Sequence, residues 1–162
     1  MTLVAVLYAD TSPIVVADSL ISNFDGLPDG LNTPLFSTPD SRAAGEYRPA
    51  GLARKFWMLP DRSLFFYAGA AGAARQLFDY LVEIVSIDCP YDREIHRTAQ
   101  DYLQRIRSRF SFLIVVPSED EAQLWAYGNV HRADIPNYGH VAMLGSGVEE
   151  ALEILRRYPG SP

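Results

Sequence analysis

An α+β fold is predicted for this chain by three observations. Strand-like segments come in neighbouring pairs, helical periodicity is confined to one central and one C-terminal block, and strands and helices do not alternate regularly. "TLVAVLY" (2–8) and "PIVVADS" (13–19) are β-prone runs, apolar on both faces and separated by the turn-like cluster "ADTSP". They predict a hairpin whose strands are covered on both sides. "KFWML" and "SLFFYAG", joined by "PDR", predict a second hairpin. Two antiparallel sheets covered by helices would bury the first strands in this way.

The remaining elements follow in order. Residues 23–53 are rich in Pro, Gly, Asp and Ser with little periodicity, and are too long for an ordinary connection; they predict a functional or partly mobile excursion. From Ala71 to about Ser86, Leu77, Phe78, Leu81, Ile84 and Val85 recur at helical spacing. "DCPYD" breaks the chain, and residues 92–109 predict a second helix with Ile95, Tyr102, Leu103 and Ile106 inward. Strand signals return at 111–116, 122–128, 130–135 and 140–144, and a final helix spans about 148–157 before Pro159-Gly160.

Bulk properties bound the function. A length of 162 residues with 48% hydrophobic content fits one domain, 1–162, with the excursion at 23–53 inserted in it. A net charge of −6 disfavours a broad nucleic-acid footprint. The densest cation cluster, "RIRSRF" (105–110), closes the second helix, where arginines meet the negative end of its dipole. Cys89 is the single cysteine, so no disulfide framework forms within one chain, and a cytoplasmic setting is expected. The apolar opening reads poorly as a signal peptide and is too short to span a membrane.

Familiar site motifs are weak. "GAAGAAR" (69–75) lacks the Gly-Lys-Ser/Thr ending of a phosphate loop, and "GSGVEEA" (145–151) opens its helix with a glutamate pair that would repel phosphate. His96, His131 and His140 have no second ligand at metal-binding spacing and are expected at a surface or interface. No Gly-x-Ser-x-Gly elbow occurs. No metal or organic cofactor is expected.

Two residues stand out. Lys55 is the only lysine, among 14 basic residues, in "GLARKFWML". One residue of a type survives by chance easily, yet a lysine amine can be buried and used as a point charge, which a guanidinium does badly. Thr2 follows the initiator methionine. Loss of Met1 would place a hydroxyl and a free α-amine on one residue, with the amine's reference pKa at about 7.7–8.0 suited to act as its base. Taken alone, Thr2 is also a common second residue.

The order "MTLVAV…IVVADS", lone lysine, "FFYAGAAG", "LGSGVEEAL" resembles the proteasome β-subunit family, in its short bacterial and phage forms, over about residues 2–22 and 55–158. The resemblance implies an N-terminal-nucleophile (Ntn) hydrolase fold, a four-layer αββα sandwich, here shortened at its C-terminal end. It places the nucleophile at Thr2, the amine-tuning pair at Asp18 and Lys55, the oxyanion glycine at Gly69 and an amine-supporting serine at Ser146. Ser22, Tyr67 and Ala71 fall on its substrate-binding positions. The implied function is amide-bond hydrolysis, on peptides first, in a homo-oligomeric ring that an unfoldase partner could serve. Departures are the insertion at 23–53, Leu20 in place of an arginine, Ser22 in place of a threonine, and the bulk of Tyr67, which implies a shallow specificity pocket. The resemblance stops at "RYPGSP", where the family continues into an aspartate and a serine that buttress the threonine. A non-catalytic structural subunit and a small-molecule amidohydrolase remain open alternatives.

Overall fold

The computed structural model describes residues 3–8, 13–17, 20–23, 48–52, 55–106, 110–118 and 122–158, with backbone only for 20–23 and 48–52. Among these residues the fold is α+β, with two four-stranded antiparallel sheets, a two-stranded ribbon and three helices. In chain order these are β1 (Val4–Leu7), β2 (Ile14–Ala17), β3 (Leu20–Asn23), β4 (Arg48–Leu52), β5 (Phe56–Met58), β6 (Leu64–Gly69), α1 (Ala71–Ile84), α2 (Arg93–Ile106), β7 (Phe110–Val116), β8 (Gln123–Tyr127), β9 (Val130–Ile135), β10 (Gly139–Leu144) and α3 (Val148–Arg157). The chain divides into two compact units, one within Ser19–Arg54 and one made of Thr2–Asp18 with Lys55–Pro162.

In the larger unit one sheet has the order β2-β1-β10-β9. Both predicted hairpins form. Val4 pairs with Ala17 and Leu7 with Ile14, while Phe56 pairs with Phe66 and Met58 with Leu64. The first sheet closes non-locally, because β1 takes β10 as its other neighbour, with Val4 opposite Leu144. The second sheet has the order β5-β6-β7-β8. At the β5–β6 turn, the Leu59 N–H donates to the Ser63 carbonyl and the Asp61 carboxylate accepts from the Ser63 N–H and hydroxyl. The same carboxylate accepts the Tyr91 N–H at 2.7 Å, tying this turn to the α1–α2 connection.

Among the described residues three apolar clusters hold the unit together, and strand alternation assigns each strand residue to one. Val4, Val6, Ala142 and Leu144 of the first sheet share a cluster with Phe66, Ala68, Leu113 and Val115 of the second. The alternate residues of the second sheet, Phe65, Tyr67, Phe112 and Ile114, pack with Ala74, Leu77 and Leu81 of α1 and Ile95, Ala99 and Leu103 of α2. Those of the first sheet, Ala5, Val141 and Met143, pack with Leu152 of α3. Continuous apolar runs such as "SFLIVV" exist because both faces of their strands are covered. Leu81, with no exposed surface, sits within the α1–α2 cluster. Leu81→Ala is expected to cost about 2–5 kcal/mol of unfolding free energy by removing methyl groups and leaving a cavity, read as a lower denaturant midpoint with unchanged slope.

The helices begin where local chemistry supplies partners. Asp92 accepts the N–H groups of Glu94 and Ile95, an N-cap for α2. Glu149 and Glu150 lie in the first turn of α3, and Arg156 and Arg157 in its last, complementing its dipole. Tyr80 of α1 stacks on Tyr102 of α2 at 4.6 Å.

The excursion predicted at 23–53 is corrected at both ends. Leu20–Asn23 and Arg48–Leu52 pair antiparallel as β3 and β4, with a bulge between Ile21 and Ser22. "RPAGL" escapes a propensity reading because Pro and Gly are poor strand formers, tolerated where a strand is an edge or bulged. Residues 24–47 lie outside the described residues.

Candidate functional site

Lys55 immediately precedes β5 and is 4% exposed. It is one of three buried polar side chains among the described residues, with Ser63 and His96. Its carbonyl accepts the Tyr67 N–H at 3.2 Å, which extends the β5–β6 ladder by one pair and sets Lys55 abreast of Tyr67. Its Nζ lies 5.6 Å from the centre of the Tyr67 ring, a cation–π contact that holds the ammonium inside. Two residues beyond Tyr67, Gly69 ends β6 with φ +109°, a conformation that side chains rarely adopt and that lets a ligand approach the backbone. Ala71 follows as the exposed first residue of α1.

In the other sheet, the start of β1, the end of β2 and the end of β10 lie at one end, because Val4 is opposite both Ala17 and Leu144. There the chain passes through Gly145 at φ +110° and the exposed Ser146, with Gly147 as the N-cap of α3. Thr2 and Asp18 lie outside the described residues, and so does the side chain of Ser22. Of the sequence-predicted residues, the structure sets Lys55, Tyr67 and Gly69 together at one end of the second sheet, with Ala71 two residues on.

Tyr67 needs a correction. Its bulk led to the expectation of a shallow pocket shaped by this side chain, but the ring is 1% exposed and belongs to the core under α1 and α2. Burial raises the phenol above its ordinary pKa, so it stays neutral. Trp57 lies nearly parallel to the Tyr67 ring at 4.9 Å, and the Arg75 guanidinium lies 5.9 Å over Trp57 and 5.7 Å over Phe78. The sequence reading missed Trp57 and Arg75. The available signals were the spacing of Trp57 two residues from Lys55, which puts both on one strand face, and of Arg75 four residues from Ala71, which puts both on one helix face.

His96 also departs from expectation, being buried at 9% exposure. At i−3 from Ala99 and i−7 from Leu103 it shares the inward stripe of α2. Its Nδ1 is 2.9 Å from the Tyr91 hydroxyl and its Nε2 2.9 Å from the Gln100 side-chain amide, so both ring nitrogens are satisfied inside. The ring packs near Phe112 and Trp125. Burial lowers its pKa below 6.5, with hydrogen bonding to the Ala126 backbone partly opposing the shift. The unfolded chain therefore binds this proton more readily than the folded one. The stability contributed by neutral His96 is full above about pH 6.5 and is lost as pH falls through that value towards the lower folded pKa. Melting temperatures between pH 7.5 and 5 are expected to fall more steeply for the wild type than for His96→Gln. His131 is exposed; His140 accepts no such burial and pairs with Asp134 at 2.8 Å.

No group of three or more His, Cys, Asp or Glu among the described residues is placed to hold a metal ion. No helix among them is long and apolar enough to cross a membrane. Comparison of the sequence with protein-family models and with curated proteins finds no match.

Proposed function

We propose that the chain is a threonine-type Ntn hydrolase with a proteasome-like four-layer αββα fold that cleaves amide bonds, peptides first among them. The observation that carries this reading is the burial of its only lysine beside Tyr67, with Gly69 two residues beyond. Burying an ammonium is costly and uncommon without a task or a partner. Support also comes from the apolar cluster shared by the two sheets and from helices packed against the other face of each. The Gly145-Ser146-Gly147 turn follows β10 at the sheet end where β1 begins.

The chemistry runs as follows. Removal of Met1 frees the Thr2 amine, which takes the proton from the Thr2 hydroxyl as oxygen attacks the amide carbon. The Lys55 cation polarises that hydroxyl and favours the neutral amine, and Asp18 holds the ammonium in place. The Gly69 N–H donates to the oxyanion that forms. Collapse of the tetrahedral adduct breaks the C–N bond, the leaving amine receives the proton from the Thr2 ammonium, and water then hydrolyses the ester. Ser146 orients the amine. Self-association into a ring served by an unfoldase belongs to the same reading.

A panel of fluorogenic peptides and simple acyl amides at neutral pH tests it. Turnover of peptides is the expected result. Turnover of acyl amides alone moves the reading to a small-molecule amidohydrolase, and no turnover of either by a chain lacking Met1 contradicts it in favour of a non-catalytic subunit.

A further inference from the structure

We infer that Tyr67 is a positioning residue for the proposed reaction: the face of its ring fixes where the Lys55 ammonium stands and keeps that amine charged. This rests on the hydrolase reading above and adds to it the element that holds its cation.

A lysine ammonium ends a flexible four-carbon stem, so a buried one acts at a single point only where something holds it. The β5–β6 hairpin supplies the hold. The Tyr67 N–H donates to the Lys55 carbonyl, so the two residues stand opposite each other on neighbouring strands and share one sheet face. Nζ lies 5.6 Å from the ring centre, within the range at which the negative face of an aromatic ring attracts a cation. Tyr67 is 1% exposed and sealed in the cluster under α1 and α2, so it acts through Lys55 and not on a substrate.

The ring is held in turn. Trp57 lies against it at 4.9 Å and 9° from parallel, Phe65 stands 6.4 Å away, and Ala74 and Leu77 of α1 belong to the same cluster. An aliphatic residue of similar size would fill this space and present no quadrupole to the ammonium. Few other charges bear on the pair. Among the side chains of β5, β6 and β7, Tyr67 alone is titratable. From α1 come Arg75 and Asp79, paired with each other at 2.9 Å, and the exposed Glu83. Burial raises the phenol above its ordinary pKa, so the ring meets the amine as a neutral π face and not as a phenolate. A π face favours the charged amine over the neutral one.

The experiment measures kcat/KM against pH on a fluorogenic peptide, with β-lactone labelling as the control for a working nucleophile. Position 67 carries phenylalanine or its mono-, di- or trifluoro forms, each with Lys55 and with Lys55→Met. Tyr67→Phe keeps the ring and is the reference. Each fluorine weakens the negative face of the ring with little change in its volume. With Lys55 present, the alkaline limb of the profile, where the amine loses its proton, is expected to move stepwise to lower pH, by about one unit across the series. In Lys55→Met the series should leave the profile where it is. A role in packing alone would change the height of the profile and move neither limb. Limbs that ignore fluorination, or that move equally in Lys55→Met, overturn the inference and leave the hydrolase reading standing. Neither cleavage nor labelling overturns that reading and the inference with it.

Discussion

Thr2→Ala is expected to abolish peptide hydrolysis, with a loss of about 10³-fold or more, because the nucleophile's hydroxyl is removed and no second pathway remains. Thr2→Ser, which keeps hydroxyl and amine, should retain part of the activity. Both variants are expected to keep the far-UV circular dichroism of the wild type. Single-turnover and steady-state assays of the three proteins check this. Equal activity in the wild type and Thr2→Ala would assign any hydrolysis to another group.

Lys55→Arg should be nearly as damaging as removing the charge altogether. The Lys55 ammonium is a compact point charge in a buried position against the Tyr67 ring. A guanidinium is wider, planar and needs several acceptors, so it neither fits that space nor places its charge at the same point. We expect both Lys55→Arg and the near-isosteric Lys55→Met to lower kcat by about 10²–10⁴-fold, the range of a lost proton-handling group. Lys55→Met should keep the far-UV circular dichroism of the wild type but melt at a lower temperature, since it leaves Asp18, the partner proposed for the ammonium, without its cation. A Lys55→Met protein with wild-type kcat would make the lysine's burial a structural matter.

How much of this was legible depends on which physical signal each residue carries. β9 and α3 were readable to the residue, since alternation and caps are local. The partnership of β1 with β10 was not, because Val4 and Leu144 are brought together by the whole fold and by no local pattern. The β3–β4 ribbon was hidden by Pro49 and Gly51, whose usual preferences are overridden by pairing around a bulge. His96 was misplaced because its polarity suggested solvent, whereas Tyr91 and Gln100 supply the hydrogen bonds that make burial affordable. Within the candidate site, Lys55 and Gly69 were found by their order in the chain, and their nearness follows from one hairpin and its register. For Trp57 and Arg75 the spacing from Lys55 and Ala71 marked the strand face and the helix face, but the stacking of the guanidinium over the indole joins two elements and is seen only in the fold.

The most direct test of the central claim is the intact mass of the purified protein, with and without a threonine-directed β-lactone. Loss of Met1 and a single adduct, absent in Thr2→Ala, is the predicted result. A chain that keeps Met1, or a free Thr2 that never takes the label, would contradict it.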